Sequence, residues 1–206
     1  MKHVDPGAVL KLAVFLAGIN CIAGTYIDVT GSSELSNCIS CSAGKYVVVT
    51  GNDQADDCIN CVRGKFINVT GSPQASDCID CVAGKYLPVT GSDEASDCIN
   101  CDAGKYVEDT GSDQAGDCNE CLIGKYIDVT GSDEVGDCID CIAGTYIAVM
   151  GSTAVSDCID CVVGKYVDVL GSDDARDCIP CPGAILPFLL PLCRQLPCLS
   201  YAATAA

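Results

Sequence analysis

The chain contains no tryptophan, only three phenylalanines and two methionines, and a single histidine in 206 residues. With so few large side chains, an interior of the size this length normally builds is out of reach. The 49% hydrophobic content is carried largely by cysteine, alanine and aliphatic residues. His3 alone cannot supply a Ser-His-Asp or Cys-His arrangement in the body of the chain, and no glycine-rich phosphate loop is present. Basic residues are scarce as well: 11 against 28 acidic ones, for a net charge of −17. A field of that sign repels phosphate backbones, which argues against a nucleic-acid partner. The longest apolar stretch near an end, residues 182–192, carries three prolines and is followed by Arg194, too short to cross a bilayer as a helix. The expectation is a protein that is not an enzyme, does not bind nucleic acid and has no membrane span in this chain.

What the chain has in quantity is cysteine (19) and glycine (21). From Cys21 to Pro180 it is eight units of 20 residues without an insertion, each reading C-x-x-G-[KT]-[YF]-[ILV]-x-V-T-G-S-x-x-x-x-D-C-I-x with local departures. Glycine fills position 4 (Gly24 to Gly164) and position 11 (Gly31 to Gly171) throughout; position 6 is tyrosine except for Phe66. Repetition at this period signals one supersecondary unit copied end to end. In each copy, a run such as Lys45-Tyr46-Val47-Val48-Val49-Thr50 reads as a strand with Tyr46 and Val48 on one face and Val47 and Val49 on the other. The flanking glycines supply turns, and the polar stretch after them reads as a loop or a single helical turn. A 20-residue unit with so few large apolar groups must lean on its neighbours and on covalent links. The fold class expected is small and disulfide-rich: an elongated tandem array of short β-finger modules, with little helix and no large hydrophobic core. The domain plan is residues 1–20 as a signal peptide or ragged array start, 21–180 as the repeats, and 181–206 as a disordered Pro-rich apolar tail.

The cysteines admit two readings. The spacing C-x2-C-x16-C-x2-C, as in Cys38, Cys41, Cys58 and Cys61, falls within the range for four-thiolate zinc sites. The other reading is disulfides. Zinc sites would consume two units each and favour a period of 40, and each would add negative charge to an already acidic chain. Disulfides are therefore preferred. Among connectivities, closing Cys38 on Cys41 constrains only a tiny loop, roughly 2 kcal/mol against roughly 3 for the longer loop within a unit. Gly18 stands where a first cysteine would precede Cys21, and a pairing inside each unit leaves nothing orphaned by that change. The candidate disulfide residues are accordingly Cys21 with Cys38, Cys41 with Cys58, Cys61 with Cys78, Cys81 with Cys98, Cys101 with Cys118, Cys121 with Cys138, Cys141 with Cys158 and Cys161 with Cys178. Cys181, Cys193 and Cys198 are left over; two can pair, and the odd thiol could form an intermolecular disulfide.

The unit, with its Gly and Tyr columns recurring over residues 18–183, resembles the ephrin-receptor-like cysteine-rich repeat, within the growth-factor-receptor and tumour-necrosis-factor-receptor-like cysteine-rich class. That resemblance implies extracellular, disulfide-bonded modules stacked into rods that present binding surfaces. It also implies that the cysteine before each Gly-x-Tyr segment joins the one that closes it, as in Cys41 with Cys58. The kinase of such receptors has no counterpart here: Gly-rich loop, H-R-D and D-F-G are all missing.

The function expected is a secreted or cell-surface repeat serving as spacer, adhesion element or ligand-binding ectodomain for a protein or glycan. The alternative is an intracellular zinc-binding array acting as an interaction scaffold, the only reading that calls for zinc. No cofactor is expected; calcium is the one ion the acidic columns bring into question. Lys85 set against Asp93, Glu94 and Asp97 suggests an acidic stripe for calcium or a cationic partner, or simply a solvated face. The tyrosine column is expected to pack on the disulfide of the following unit. Asn68-Val69-Thr70 is a glycosylation sequon, which makes Asn68 the candidate modification site.

Overall fold

A computed structural model describes residues 20–29, 31–32 and 34–181. Expectations for the apolar N-terminal segment, the C-terminal tail, Cys193 and Cys198 lie outside these residues. Each of the eight repeats forms one two-stranded antiparallel hairpin, and among the described residues a single 3-10 turn is the only helix in each. In the second repeat, Lys45–Tyr46 pairs with Ile59–Asn60, with Tyr46 opposite Ile59 and Lys45 opposite Asn60. The same register recurs in the third repeat as Phe66 opposite Ile79, and in the last as Tyr166 opposite Ile179.

The strands are shorter than the sequence pattern suggests. The expected strand through Thr50 stops at Tyr46, and its alternation stops with it: Val47 is buried, while Val48 and Val49 are both exposed. The reason lies in where the backbone hydrogen bonds go. Beyond Tyr46 the chain no longer pairs inside its own hairpin but with the repeats before and after. Val47 donates its N–H to the Ser72 carbonyl at 3.1 Å, and its own carbonyl accepts the Gly24 N–H at 2.8 Å. Once the partner strand changes, the two-residue alternation of a continuous ladder is lost.

Glycine makes both corners of this path. At position 4, Gly44 has φ +83°, as a turn closed by the Lys45 N–H on the Ser42 carbonyl requires at its third residue. At position 11, Gly51 has φ +79°, and its N–H donates to the Cys21 carbonyl of the preceding repeat at 2.8 Å. The third repeat receives the second in the same way: Gly44 N–H to Ile67 carbonyl, Val47 N–H to Ser72 carbonyl, Gly71 N–H to Cys41 carbonyl and Cys61 N–H to Gly44 carbonyl. A parallel bridge sets each aromatic beside position 12 of the next repeat, from Tyr26 with Asn52 to Tyr146 with Ser172. Contact also reaches the second neighbour. A Cβ added to Gly24 would fall on the Gly71 carbonyl, and one added to Gly64 on the Gly111 carbonyl.

By its contacts the chain divides into two units, Met1–Ile99 with Thr110–Ala115, and Asn100–Asp109 with Gly116–Ala206. The division passes through the fifth repeat. Inside each unit the interior is a row of small separate clusters. One of them holds Cys41, Val47 and Cys58, with Tyr26 of the preceding repeat laid against it; the next holds Cys61, Ile67 and Cys78, with Tyr46 against it. In the second unit Tyr106 covers Cys121, Ile127 and Cys138 in the same manner. Tyr26, Tyr46 and Tyr106 thus pack against the following repeat's cysteine cluster, and Phe66 is buried beside Cys81, Leu87 and Cys98.

Candidate functional site

The structure joins Cys21 to Cys38, Cys41 to Cys58, Cys61 to Cys78, Cys81 to Cys98, Cys101 to Cys118, Cys121 to Cys138, Cys141 to Cys158 and Cys161 to Cys178. All eight have sequence separation 17 and Cα–Cα distances of 5.7 or 5.8 Å, near the usual span of a disulfide. Cys181 is disulfide-bonded as well. Each clasp joins the two arms of its hairpin. Position 1 lies just before the position-4 turn, and position 18 follows a 3-10 turn immediately ahead of the returning strand. The first cysteine of every clasp but the last is fully buried: Cys21, Cys41, Cys61, Cys81, Cys101, Cys121 and Cys141 have no exposed surface. Disulfides at this density belong to an oxidising environment.

The aspartate at position 17 has a local task that sequence reasoning placed in a solvated stripe. Asp57 Oδ2 accepts the backbone N–H groups of Asp53 at 3.1 Å and Gln54 at 3.3 Å, and Asp157 Oδ2 accepts those of Thr153 at 2.9 Å and Ala154 at 3.0 Å. The carboxylate closes the loop that delivers position 18 to its clasp. A short acceptor at this place satisfies N–H groups at the start of the turn that have no partner within it.

Three of the position-5 lysines are held by carboxylates. The ion pairs of position 5 run across the hairpin to position 20, not to the loop acids: Lys65 to Asp80 at 2.8 Å, Lys105 to Glu120 at 3.6 Å and Lys125 to Asp140 at 2.7 Å. Cross-strand register sets this, since position 5 stands directly opposite position 20. Among the described residues no group of three or more His, Cys, Asp or Glu side chains is arranged to hold a metal ion. The acids of one loop, such as Asp93 and Glu94, are exposed and spread along an extended path.

Asn68, Val69 and Thr70 are all exposed. The sequon follows the strand Lys65–Phe66 instead of lying within it, so the Asn68 side chain is open to solvent. Position 12 is the feature that sequence reading did not single out. Ser72, Ser92, Ser112, Ser132, Ser152 and Ser172 are buried, as is Asn52 in the same place, because the preceding repeat covers them. The signal was available in the constancy of the Gly-Ser pair, which a surface turn alone does not demand.

The exposed faces are not uniformly polar. Val129 and Ile139 border a shallow groove in the sixth repeat of about 560 Å3, together with Asp128, Asp133 and Asp137. Among the described residues no helix is long and apolar enough to cross a membrane. No protein-family model matches the chain, and no curated protein does.

Proposed function

We propose that the chain is a non-enzymatic, extracellular or cell-surface cysteine-rich repeat, related in kind to the ephrin-receptor-like modules, that presents a repeated binding surface or serves as a spacer between functional parts. The observation that carries this reading is the place of the disulfides. The clasps Cys41–Cys58, Cys61–Cys78, Cys81–Cys98 and Cys121–Cys138 each sit in a small cluster against which the preceding repeat's aromatic ring packs. A protein whose interior is made of cystine depends on an oxidising compartment for its folding, and small secreted modules solve the shortage of apolar area in this way. The exposed sequon at Asn68 fits passage through a secretory route. Catalysis has little to draw on: the described residues include no histidine, and the groove in the sixth repeat is shallow and lined by aliphatic and acidic residues.

Alkylation of denatured protein prepared without reductant tests the reading. The eight clasps hold sixteen of the 19 cysteines and Cys181 is disulfide-bonded as well, so about one thiol should react. Alkylation of nearly all 19 cysteines, with zinc retained by the native protein, would overturn the extracellular assignment and establish the zinc scaffold in its place.

A further inference from the structure

The eight copies allow exposure and sequence drift to be compared within one chain. Positions 8 and 9 are neighbours of similar exposure: Val48 is 53% and Val49 57% exposed. Position 8 has drifted freely through Asp28, Val48, Asn68, Pro88, Glu108, Asp128, Ala148 and Asp168. Position 9 has not: it is Val29, Val49, Val69, Val89, Val129, Val149 and Val169, with Asp109 the single departure. These valines are exposed in every repeat that has one. Burial therefore does not explain their constancy.

Position 19 behaves in parallel. It is isoleucine in seven repeats, about half exposed in most, and changes only to Asn119. Both positions thus depart in the same repeat, the fifth, and in no other. In the sixth repeat their side chains, Val129 and Ile139, line one groove. Two exposed apolar positions that share a groove and are lost together are expected of one contact surface. Scattered surface aliphatics would change independently.

The charge around the groove selects the occupant. The sixth repeat carries Asp128, Asp133, Glu134, Asp137 and Asp140 against one cation, Lys125, whose ammonium is 2.7 Å from Asp140. Asp128, Asp133 and Asp137 line the groove itself. We propose that the position-9 and position-19 pair in each of seven repeats forms a docking site for a protein segment that is both cationic and aliphatic, its apolar side chains on Val and Ile and its Lys or Arg side chains toward the aspartates. This deepens the binding role proposed above and rests on it. A sulfated glycan is repelled by the same charge, and a neutral one would find no aromatic platform in this groove.

The test uses the full oxidised chain and a short synthetic peptide alternating leucine and lysine, titrated calorimetrically at about 0.15 M salt. A lysine homopolymer of equal charge and sulfated and neutral oligosaccharides serve as comparators. A variant with Val→Asp at position 9 and Ile→Asn at position 19 of all seven repeats copies the residues that the fifth repeat already carries in a folded, clasped hairpin. The expected result is binding of the leucine–lysine peptide at least roughly tenfold tighter than the homopolymer, and loss of that margin in the variant. Each added aspartate strengthens attraction for a purely electrostatic ligand, so the two explanations predict opposite signs. In the reverse variant, Asp109→Val with Asn119→Ile, the number of peptides bound should rise by one, which keeps the test open should the sevenfold variant not fold. Equal binding of the homopolymer, binding of an oligosaccharide alone, or no binding overturns the docking site. An oxidised thiol count with no peptide binding defeats this site and leaves the extracellular reading standing.

Discussion

Glycine at position 4 is held by two constraints that separate experimentally. Gly64 and Gly164 both have positive φ, +79° and +86°, so an L-residue at either is strained by roughly 1–2 kcal/mol. Of the two, Gly64 has the backbone of a later repeat against it: a Cβ there meets the Gly111 carbonyl, whereas no described residue lies within 4 Å of one added at Gly164. Gly64→Ala is therefore expected to destabilise its neighbourhood by more than the strain alone, and Gly164→Ala by the strain only. Hydrogen exchange at the Gly64 N–H, which bonds the Leu87 carbonyl at 2.9 Å, reads the difference directly. The position-17 aspartate gives a second residue-scale expectation. Asp157→Ala removes the acceptor for two backbone N–H groups and should cost about 0.5–2 kcal/mol, seen as faster exchange at Thr153 and Ala154 without loss of the Cys141–Cys158 clasp.

At the scale of the element, hairpin, 3-10 turn and clasp form one closed loop. Replacing Cys121 and Cys138 together with alanine removes a closure worth roughly 3 kcal/mol and the surface on which Tyr106 packs. The expected outcome is raised hydrogen exchange in the sixth repeat and at the Tyr106 strand, with the second and third repeats unchanged. Uniform loss of protection along the whole chain would show that the repeats do not fold as nearest-neighbour units. Much of this element was legible beforehand. A strand, two turns, one helical turn and the clasp within each repeat are local consequences of β-branched residues, paired glycines and fixed spacing. The strand's length was not legible. Val47, Val48 and Val49 have the same intrinsic preference, and only the competition between the hairpin partner and the adjoining repeats decides which is buried. The partner of the lysines was obscure for a related reason: Lys65 and Asp80 are distant in sequence, and only strand register brings them to 2.8 Å.

At the scale of the whole molecule, the division of the described interior into small clusters has two consequences. The first is dependence on oxidation. Because every cluster in the described residues contains cysteine, reduction under otherwise native conditions should abolish the regular fold, seen as loss of the far-ultraviolet signal and an increase in hydrodynamic radius. The second is tolerance of whole-period changes. Deleting residues 61–80 joins the second repeat to the fourth through the same pattern of glycine, cysteine and position-12 hydrogen bonds, and should leave seven intact clasps by non-reducing mass analysis. Deleting half a period should scramble them.

The amino-acid order by itself determined the period, the number of copies, the β-finger with its first strand in each and the acidic surface, because these follow from spacing, charge and preferences acting within 20 residues. Only the tertiary structure decided what each column is for: position 7 as the apolar centre, position 12 as the covered seat of the preceding aromatic, position 17 as a cap, and position 9 as exposed despite its constancy. The physical reason is that identical copies give every column the same local chemistry, whereas burial depends on which neighbour arrives. That is set by hydrogen bonds between repeats about 20 to 30 residues apart, and no property of a single repeat records them.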